Sequence, residues 1–237
     1  MADPFATNPE LRPLIRDPST SAFRNLYATM LVKERAQPPP PGVKVRSSEE
    51  REASRLATLA GHAGDLWVSA YGSLMWDPGM DFTEVRRIRL PGYARRFILC
   101  DVHGARGTQE VPGLMAALDH GEGCHGLAFR LPAEKVEDET RNLWAREMAL
   151  QAYLPQILSA DMDGESVTVL AFVADHDAEM IRADLTRDQQ VRYLATGSGF
   201  LGSSRDYLET IARQFVALGI DDPEVSALME AVRAYAP

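Results

Sequence analysis

The chain has 237 residues, 45% of them hydrophobic, which is enough apolar material for one large globular domain with a full core. Its formal net charge of −9 and pI near 5.1 exclude nucleic acid as an expected partner, since a polyanion is bound by clustered cations. Only two cysteines occur, Cys100 and Cys124, without CxxC spacing, and no apolar run approaches the ~18 residues of a membrane span, so a disulfide framework and a membrane partner are also excluded. The N-terminus, Met1-Ala2-Asp3-Pro4, lacks the basic-then-apolar pattern of a signal peptide, and the expected location is cytoplasmic.

Up to residue 55 the charges are balanced, nine Lys or Arg against seven Asp or Glu, which is no basic arm. Leu14, Phe23, Tyr27 and Leu31 have irregular, partly helical spacing. The tetraproline Pro38 to Pro41, with Gly42, excludes helix and reads as a stiff extended spacer. Ser47-x-x-Glu50 is a capping box that predicts a short helix through Leu56 and Leu59. No internal repeat is visible, and the compact part is expected to begin near Leu66. Residues 1–65 then form an N-terminal extension, and residues 66–237 the main domain.

The apolar run Leu66-Trp67-Val68-Ser69-Ala70 predicts a strand, which ends in the glycine turn Tyr71-Gly72-Ser73-Leu74-Met75-Trp76. Successive backbone N–H groups in such a turn can bind a carboxylate or steady developing oxyanion charge without a cationic side chain, although a strand ending in Gly-Ser is often a plain turn. Glycine at position 72 permits close backbone approach or a positive φ. Phe97-Ile98-Leu99-Cys100 predicts a short strand, and the alternation of Leu127, Phe129 and Leu131 another. Residues from Ala133 to Met148 predict a helix. The β-branched run Val167 to Val173 predicts a central strand. Two more helices follow Thr186-x-x-Gln189 and Ser203-x-x-Asp206, the latter with Tyr207, Ile211, Phe215 and Leu218 on one face. Strands come mostly first and helices mostly last, which favours an α+β fold over a doubly wound sheet.

Glu147 is the leading candidate for chemistry. On a helix over 133–148, Val136, Thr140, Leu143, Trp144 and Glu147 share one face. A carboxylate at the end of that apolar stripe acquires a raised pKa, which suits a base that must also return a proton. The competing reading is a helix-terminal glutamate that bends to water or pairs with Arg146. His120, Cys124 and His125 lack a fourth ligand at convincing spacing and sit among glycines in an expected hairpin turn, so no metal is expected. Ser73, Ser203 and Ser204 could act as nucleophiles only beside a histidine base, and no G-x-S-x-G elbow is present. Gly197-Ser198-Gly199 lacks the lysine of a phosphate-binding loop and reads as a connection between helices. Both cysteines read as buried, inert thiols.

Taken in order, these segments resemble the ChaC-like γ-glutamylcyclotransferases. The resemblance rests on Val68 to Gly79, Gly92-Tyr93-Ala94-Arg95-Arg96-Phe97, and Arg106-Gly107-Thr108 leading into Pro112-Gly113-Leu114. Gly123 to Leu131, Leu143-Trp144-Ala145-Arg146-Glu147-Met148 and Gly199 to Leu208 continue it. Each motif is short, but together they run from about Trp67 to the C-terminus. Where the family often has an aromatic-glycine pair, this chain has Ser69-Ala70.

The resemblance implies a γ-glutamylcyclotransferase-like α+β fold, a small mixed β-barrel or sheet with flanking helices. It implies cleavage of glutathione to 5-oxoproline and Cys-Gly with no metal or organic cofactor. It implies Glu147 as catalytic residue, and Val68, Ser69, Ala70, Tyr71, Gly72, Ser73 and Leu74, with Tyr207, as substrate-binding residues. Two alternatives stay open: ring closure on another γ-glutamyl amine or peptide, and a binding or regulatory protein without turnover. The carboxylate at Glu147 argues against the second, because binding an anionic tripeptide would not favour it. Oligomeric state is open.

Overall fold

The computed structural model describes residues 3–36 and 44–236, with side chains undescribed at 34–36, so the tetraproline spacer and Gly42 lie outside the described residues. Five strands close a barrel in the order β1-β3-β2-β4-β5. Strand β1, Leu66–Ala70, pairs antiparallel with the end of β3, Val68 opposite Phe129 and Ala70 opposite Leu127. β2, Glu84–His103, and β3, Thr108–Leu131, form one long antiparallel hairpin, so the runs predicted as short strands are the buried ends of much longer ones. Register shifts between Pro91 and Tyr93, Phe97 and Leu99, and Asp101 and His103 interrupt the pairing, as β-bulges do where a sheet bends.

The glycine-rich stretch around His120, Cys124 and His125 is strand, not the expected hairpin turn. Cβ atoms at Gly121 and Gly123 would collide with the side chains of Ala94 and Arg89, so these glycines mark crowding rather than chain reversal. The chain reverses at 104–107 instead. There the Asp101 carboxylate accepts from the amides of His103 (2.9 Å), Arg106 and Gly107 (3.0 Å).

The sequence reading missed β4, Tyr153–Met162, which pairs along its whole length with β5, Glu165–Ala174. Asp163 (φ 55) and Gly164 (φ 86) supply the two positive-φ residues of a tight hairpin turn. That Asp-Gly pair was the available signal, and Pro155 within the strand obscured it. β5 also runs parallel to β1 and meets β3 at Leu118 opposite Val173. The predicted central strand is therefore the one that closes the barrel.

Helix α1 spans Leu26–Ala36, and α2, Ser48–Thr58, starts at the predicted Ser47/Glu50 capping box. A 3-10 turn at Ala133–Lys135 leads into α3, Val136–Glu147. α4, Arg187–Thr196, is capped by Thr186 and Gln189 as predicted. The Gly197-Ser198-Gly199 stretch opens a two-stranded ribbon, β6 Ser198–Gly199 with β7 Gly202–Ser203. α5, Ser204–Leu218, buries Tyr207, Ile211, Phe215 and Leu218, the face read from the sequence. α6, Pro223–Ala234, was not predicted, although Asp222 caps it and Pro223 opens it. Among the described residues no helix is long and apolar enough to cross a membrane.

Packing begins well upstream of Leu66. Phe5, Leu11 and Ile15 belong to the main core cluster, and Gln214 donates to the Leu14 carbonyl at 3.0 Å. Fully burying a side chain such as Leu11 contributes about 1.5–3 kcal/mol. The 3-10 turns Pro9–Leu14 and Pro18–Thr20 carry no periodic stripe, which is why the pattern did not announce a core segment.

Candidate active site

The apolar face of α3 aims its last residue inward. Thr140, Leu143 and Trp144 are buried on that face, with Trp144 packed edge-on to Phe172 of β5 at 5.2 Å. One turn beyond Leu143, the Glu147 side chain retains 13% exposure. Burial pushes its carboxyl above the ordinary glutamate value, and the neighbouring Arg146 only partly opposes this. Arg146 Nε lies 3.0 Å from Glu147 Oε1. The two sequence readings of Glu147 thus coexist: it pairs with Arg146 and still faces the interior. The Arg146 guanidinium also donates to the Asp77 carbonyl (2.6 Å) and to Ser73 Oγ (2.9 Å), tying the end of α3 to the turn after β1.

That turn leaves the barrel at Ala70 and tightens into a 3-10 turn over Ser73–Met75, with the Met75 amide donating to the Gly72 carbonyl at 2.9 Å. The opening amides of such a turn, here Ser73 and Leu74, have no acceptor within it. Gly72 has a negative φ, −133, so a positive φ is not why glycine stands there. The reason is crowding. A Cβ at 72 would lie 2.6 Å from the Tyr207 hydroxyl oxygen.

Tyr71, Gly72, Ser73, Leu74, Glu147 and Tyr207 line one cleft, together with Ala116 of β3, Tyr153 of β4 and Phe172 of β5. Val68, Ser69 and Ala70 do not reach it; they are buried inside β1, paired with Phe129, Ala128 and Leu127. Ala116, Tyr153 and Phe172 escaped the sequence reading. Tyr153 could have been found through the Asp163-Gly164 hairpin, whereas nothing local marks Ala116.

Three buried phenols surround Glu147. Tyr71 donates to the Phe172 carbonyl at 2.8 Å. Burial, reinforced by the Glu147 charge, raises Tyr71 and Tyr153 well above the usual phenol value. Tyr207 is pushed up to about 12 by burial, with Arg106 pulling the other way. All three stay neutral at physiological pH and act as hydrogen-bonding groups. The Tyr207 ring is held between Trp76, edge-on at 5.4 Å, and the Arg106 guanidinium at 4.9 Å. Arg106 donates to the Ser203 carbonyl at 3.0 Å, and among the described residues no carboxylate forms a salt bridge with it. Burial therefore works against its charge, lowering its pKa.

Other candidates have structural roles. Ser73 Oγ is bonded to Arg146 rather than to a histidine, and Ser204 Oγ accepts from the Leu114 amide at 2.9 Å. Ser203 caps α5 by accepting from the Asp206 amide. His120, Cys124 and His125 do not converge, and among the described residues no three His, Cys, Asp or Glu could hold a metal ion. Cys100 and Cys124 are free and buried, and burial raises both thiols. A larger open groove of about 530 Å³ lies between the end of α2 and strands β1, β4 and β5. Its only titratable lining residues, His62 and Asp65, are solvent-exposed, so the smaller cleft at Glu147 is where perturbed groups converge.

Residues 66–235 match the family model described as ChaC-like protein. A glutathione-specific γ-glutamylcyclotransferase of Escherichia coli (strain K12) is 37% identical over 190 residues, covering 79% of this chain and 82% of the relative. Glutathione-specific γ-glutamylcyclotransferase 1 of Homo sapiens is 28% identical over 180 residues, covering 73% and 80%. The crystal structure of a glutathione-specific γ-glutamyl cyclotransferase from yeast superposes with a TM-score of 0.67 at 20% identity, covering 73% of this chain and 97% of that one. That structural likeness concerns the fold.

Proposed function

The chain belongs to the ChaC-like protein family, and from that premise we propose that it cleaves glutathione to 5-oxoproline and Cys-Gly, with Glu147 as the proton shuttle. One observation supports the mechanism above the others: a buried carboxyl with a raised pKa shares a cleft with the amides that open a glycine turn. Glutathione carries its α-amine and its γ-carbonyl carbon on one flexible chain. Curling that chain against the turn removes entropy from the barrier, an effect of up to about 7–11 kcal/mol in well-aligned systems.

The ionised Glu147 takes a proton from the substrate ammonium. The freed amine attacks the γ-carbonyl carbon and closes a five-membered ring. The carbonyl oxygen takes the developing negative charge, and the same Glu147 then returns the proton to the departing nitrogen of Cys-Gly as the old C–N bond breaks, while the ring nitrogen sheds its second proton, which ends on the released amine. An amide anion would be a prohibitively poor leaving group, so this return of the proton is essential. The Ser73 and Leu74 amides, with the neutral Tyr207 hydroxyl beside Gly72, supply donors for the substrate's negative oxygens. Arg106, a cation without a carboxylate partner at the Tyr207 edge of the site, attracts a substrate carboxylate. These steps need no metal or organic cofactor.

The reading includes a cytoplasmic location, where two buried free thiols stay reduced and the substrate is abundant. The deciding experiment is incubation of the purified protein with glutathione and quantitation of 5-oxoproline. γ-Glutamyl amines and other γ-glutamyl peptides run in parallel measure selectivity. Absence of 5-oxoproline from every donor would leave only a binding role.

A further inference from the structure

The family match begins at residue 66, yet an earlier segment is packed directly behind the candidate site. The backbone amide of Arg16 donates to the Trp76 carbonyl at 2.8 Å, and its guanidinium pairs with Asp77 at 2.9 Å. Arg24 bridges Asp81 (2.9 Å), just beyond the turn, and the buried Glu139 of α3 (2.5 Å). The Tyr27 amide donates to the Asn142 side chain of α3 at 3.2 Å. Between these ties, the Phe23 ring lies 4.0 Å from the Arg146 guanidinium carbon. Gly79 (φ 64) fits closely under Phe23, since a Cβ there would come within 3.0 Å of the Phe23 Cβ. The segment therefore spans the two elements that supply the catalytic carboxyl and the glycine turn, and its aromatic ring covers the arginine that joins them.

We propose that residues 16–27 form a positioning strap, in which Phe23 acts through Arg146 to hold Glu147 in register with the Gly72–Leu74 turn. The guanidinium donates to Ser73 Oγ and the Asp77 carbonyl while its Nε forms an ion pair with Glu147. An aromatic face over the guanidinium excludes water and strengthens the attraction without competing for its donors. Without the ring, water reaches the guanidinium, its bonds loosen, and the carboxyl loses its fixed distance from the turn. Phe23 touches no reacting atom, so it is a positioning residue.

Charged and titratable groups from several elements surround Glu147. Arg146 comes from its own helix, Tyr71 from the turn after β1, Tyr153 from β4 and Tyr207 from α5, with Arg106 across the Tyr207 ring. Asp77 faces Arg146 only through its carbonyl, because its carboxylate is turned to Arg16. Arg146 is thus the only one of these groups that holds the carboxyl ionised through direct contact. Loosening it moves the Glu147 titration to higher pH.

The test compares Phe23→Ala, Phe23→Leu and Phe23→Tyr with the wild type. The strap concerns the same site as the proposed function and rests on that reading for its kinetic readout, so a second readout avoids activity altogether. Phe23→Ala is expected to lower kcat about 3- to 30-fold, the range of a desolvated cation–aromatic contact, with KM within about twofold. Phe23→Tyr keeps the ring and is expected to restore kcat, whereas Phe23→Leu keeps apolar volume without the aromatic face and is not. By carbon-detected NMR of the Glu147 carboxyl, the titration midpoint in Phe23→Ala should move upward, and in Phe23→Tyr it should not. Should Phe23→Ala fail to fold, Phe23→Leu carries the same comparison. An unchanged or lowered midpoint, or equal kcat losses in the leucine and tyrosine variants, overturns the strap. A wild type that releases no 5-oxoproline would sink the functional reading, while the titration would still decide the strap.

Discussion

Gly72→Ala is the sharpest perturbation available, because it adds one methyl group against one identified atom. The new carbon would sit 2.6 Å from Tyr207 Oη, where real Cβ contacts are essentially never seen, while the next atom, Tyr207 Cζ, is 3.7 Å away in ordinary contact. The hydroxyl cannot simply swing aside, since Trp76 and Arg106 pack against its ring and Tyr207 is itself buried. Relief must come from the turn, by something like half an ångström or more, and overpacking of this kind costs about 1–3 kcal/mol. The same displacement moves the Ser73 and Leu74 amides, and a 1 Å misplacement can reduce turnover by about 10²-fold. Tyr207→Phe deletes only the clashing oxygen, so Gly72→Ala should cost clearly less stability in that background. Urea denaturation of the two single variants and the double variant measures a coupling energy of about 1–3 kcal/mol. An equal loss in both backgrounds would refute the argument that Tyr207 dictates glycine at 72.

Glu147→Gln, which keeps shape but cannot carry a proton, should lower turnover of glutathione about 10²–10⁴-fold; near-wild-type release of 5-oxoproline would remove Glu147 from the chemistry. The same variant tests the raised pKa. The folded carboxyl holds its proton more tightly than the unfolded one, so the stability it contributes is complete below the unfolded glutamate pKa and is lost as pH rises through the folded value. The melting temperature of Glu147→Gln should therefore gain on that of the wild type between acid and neutral pH, and a constant or shrinking difference contradicts the assigned burial. Arg106→Ala should raise KM for glutathione about 10-fold or more, the worth of a charge-assisted bond, with a smaller change in kcat. An unchanged KM would restrict Arg106 to holding the turn at Ser203.

Several features of the candidate site are legible in the sequence. The 3.6-residue periodicity of α3 is a local property, and it placed Glu147 at the inward end of an apolar stripe. Capping boxes at Ser47 and Thr186 are also local, as is the apolar face of α5 that carries Tyr207. These features depend on residues three or four apart, and the chain displays them directly. The order of short motifs added the family, because a common ancestor preserves spacing along the chain.

Register, closure and long-range crowding were not legible in this way. A single Pro155 hid β4 and with it Tyr153, and the glycines near His125 passed for a turn because the side chains that crowd them come from the partner strand. Val68, Ser69 and Ala70 looked like part of the site by adjacency, but the pairing of β1 with β3 and β5 turns them into barrel wall. The N-terminal segment shows no periodicity, and only packing makes it part of the core and the backing of the site. By itself the sequence determined which helices form, which carboxyl faces inward and which turn meets it in order along the chain. The tertiary structure alone decided which side chains complete the cleft and why glycine must occupy position 72. Both depend on contacts between distant segments, which are set by barrel closure and excluded volume rather than by any pattern within one element.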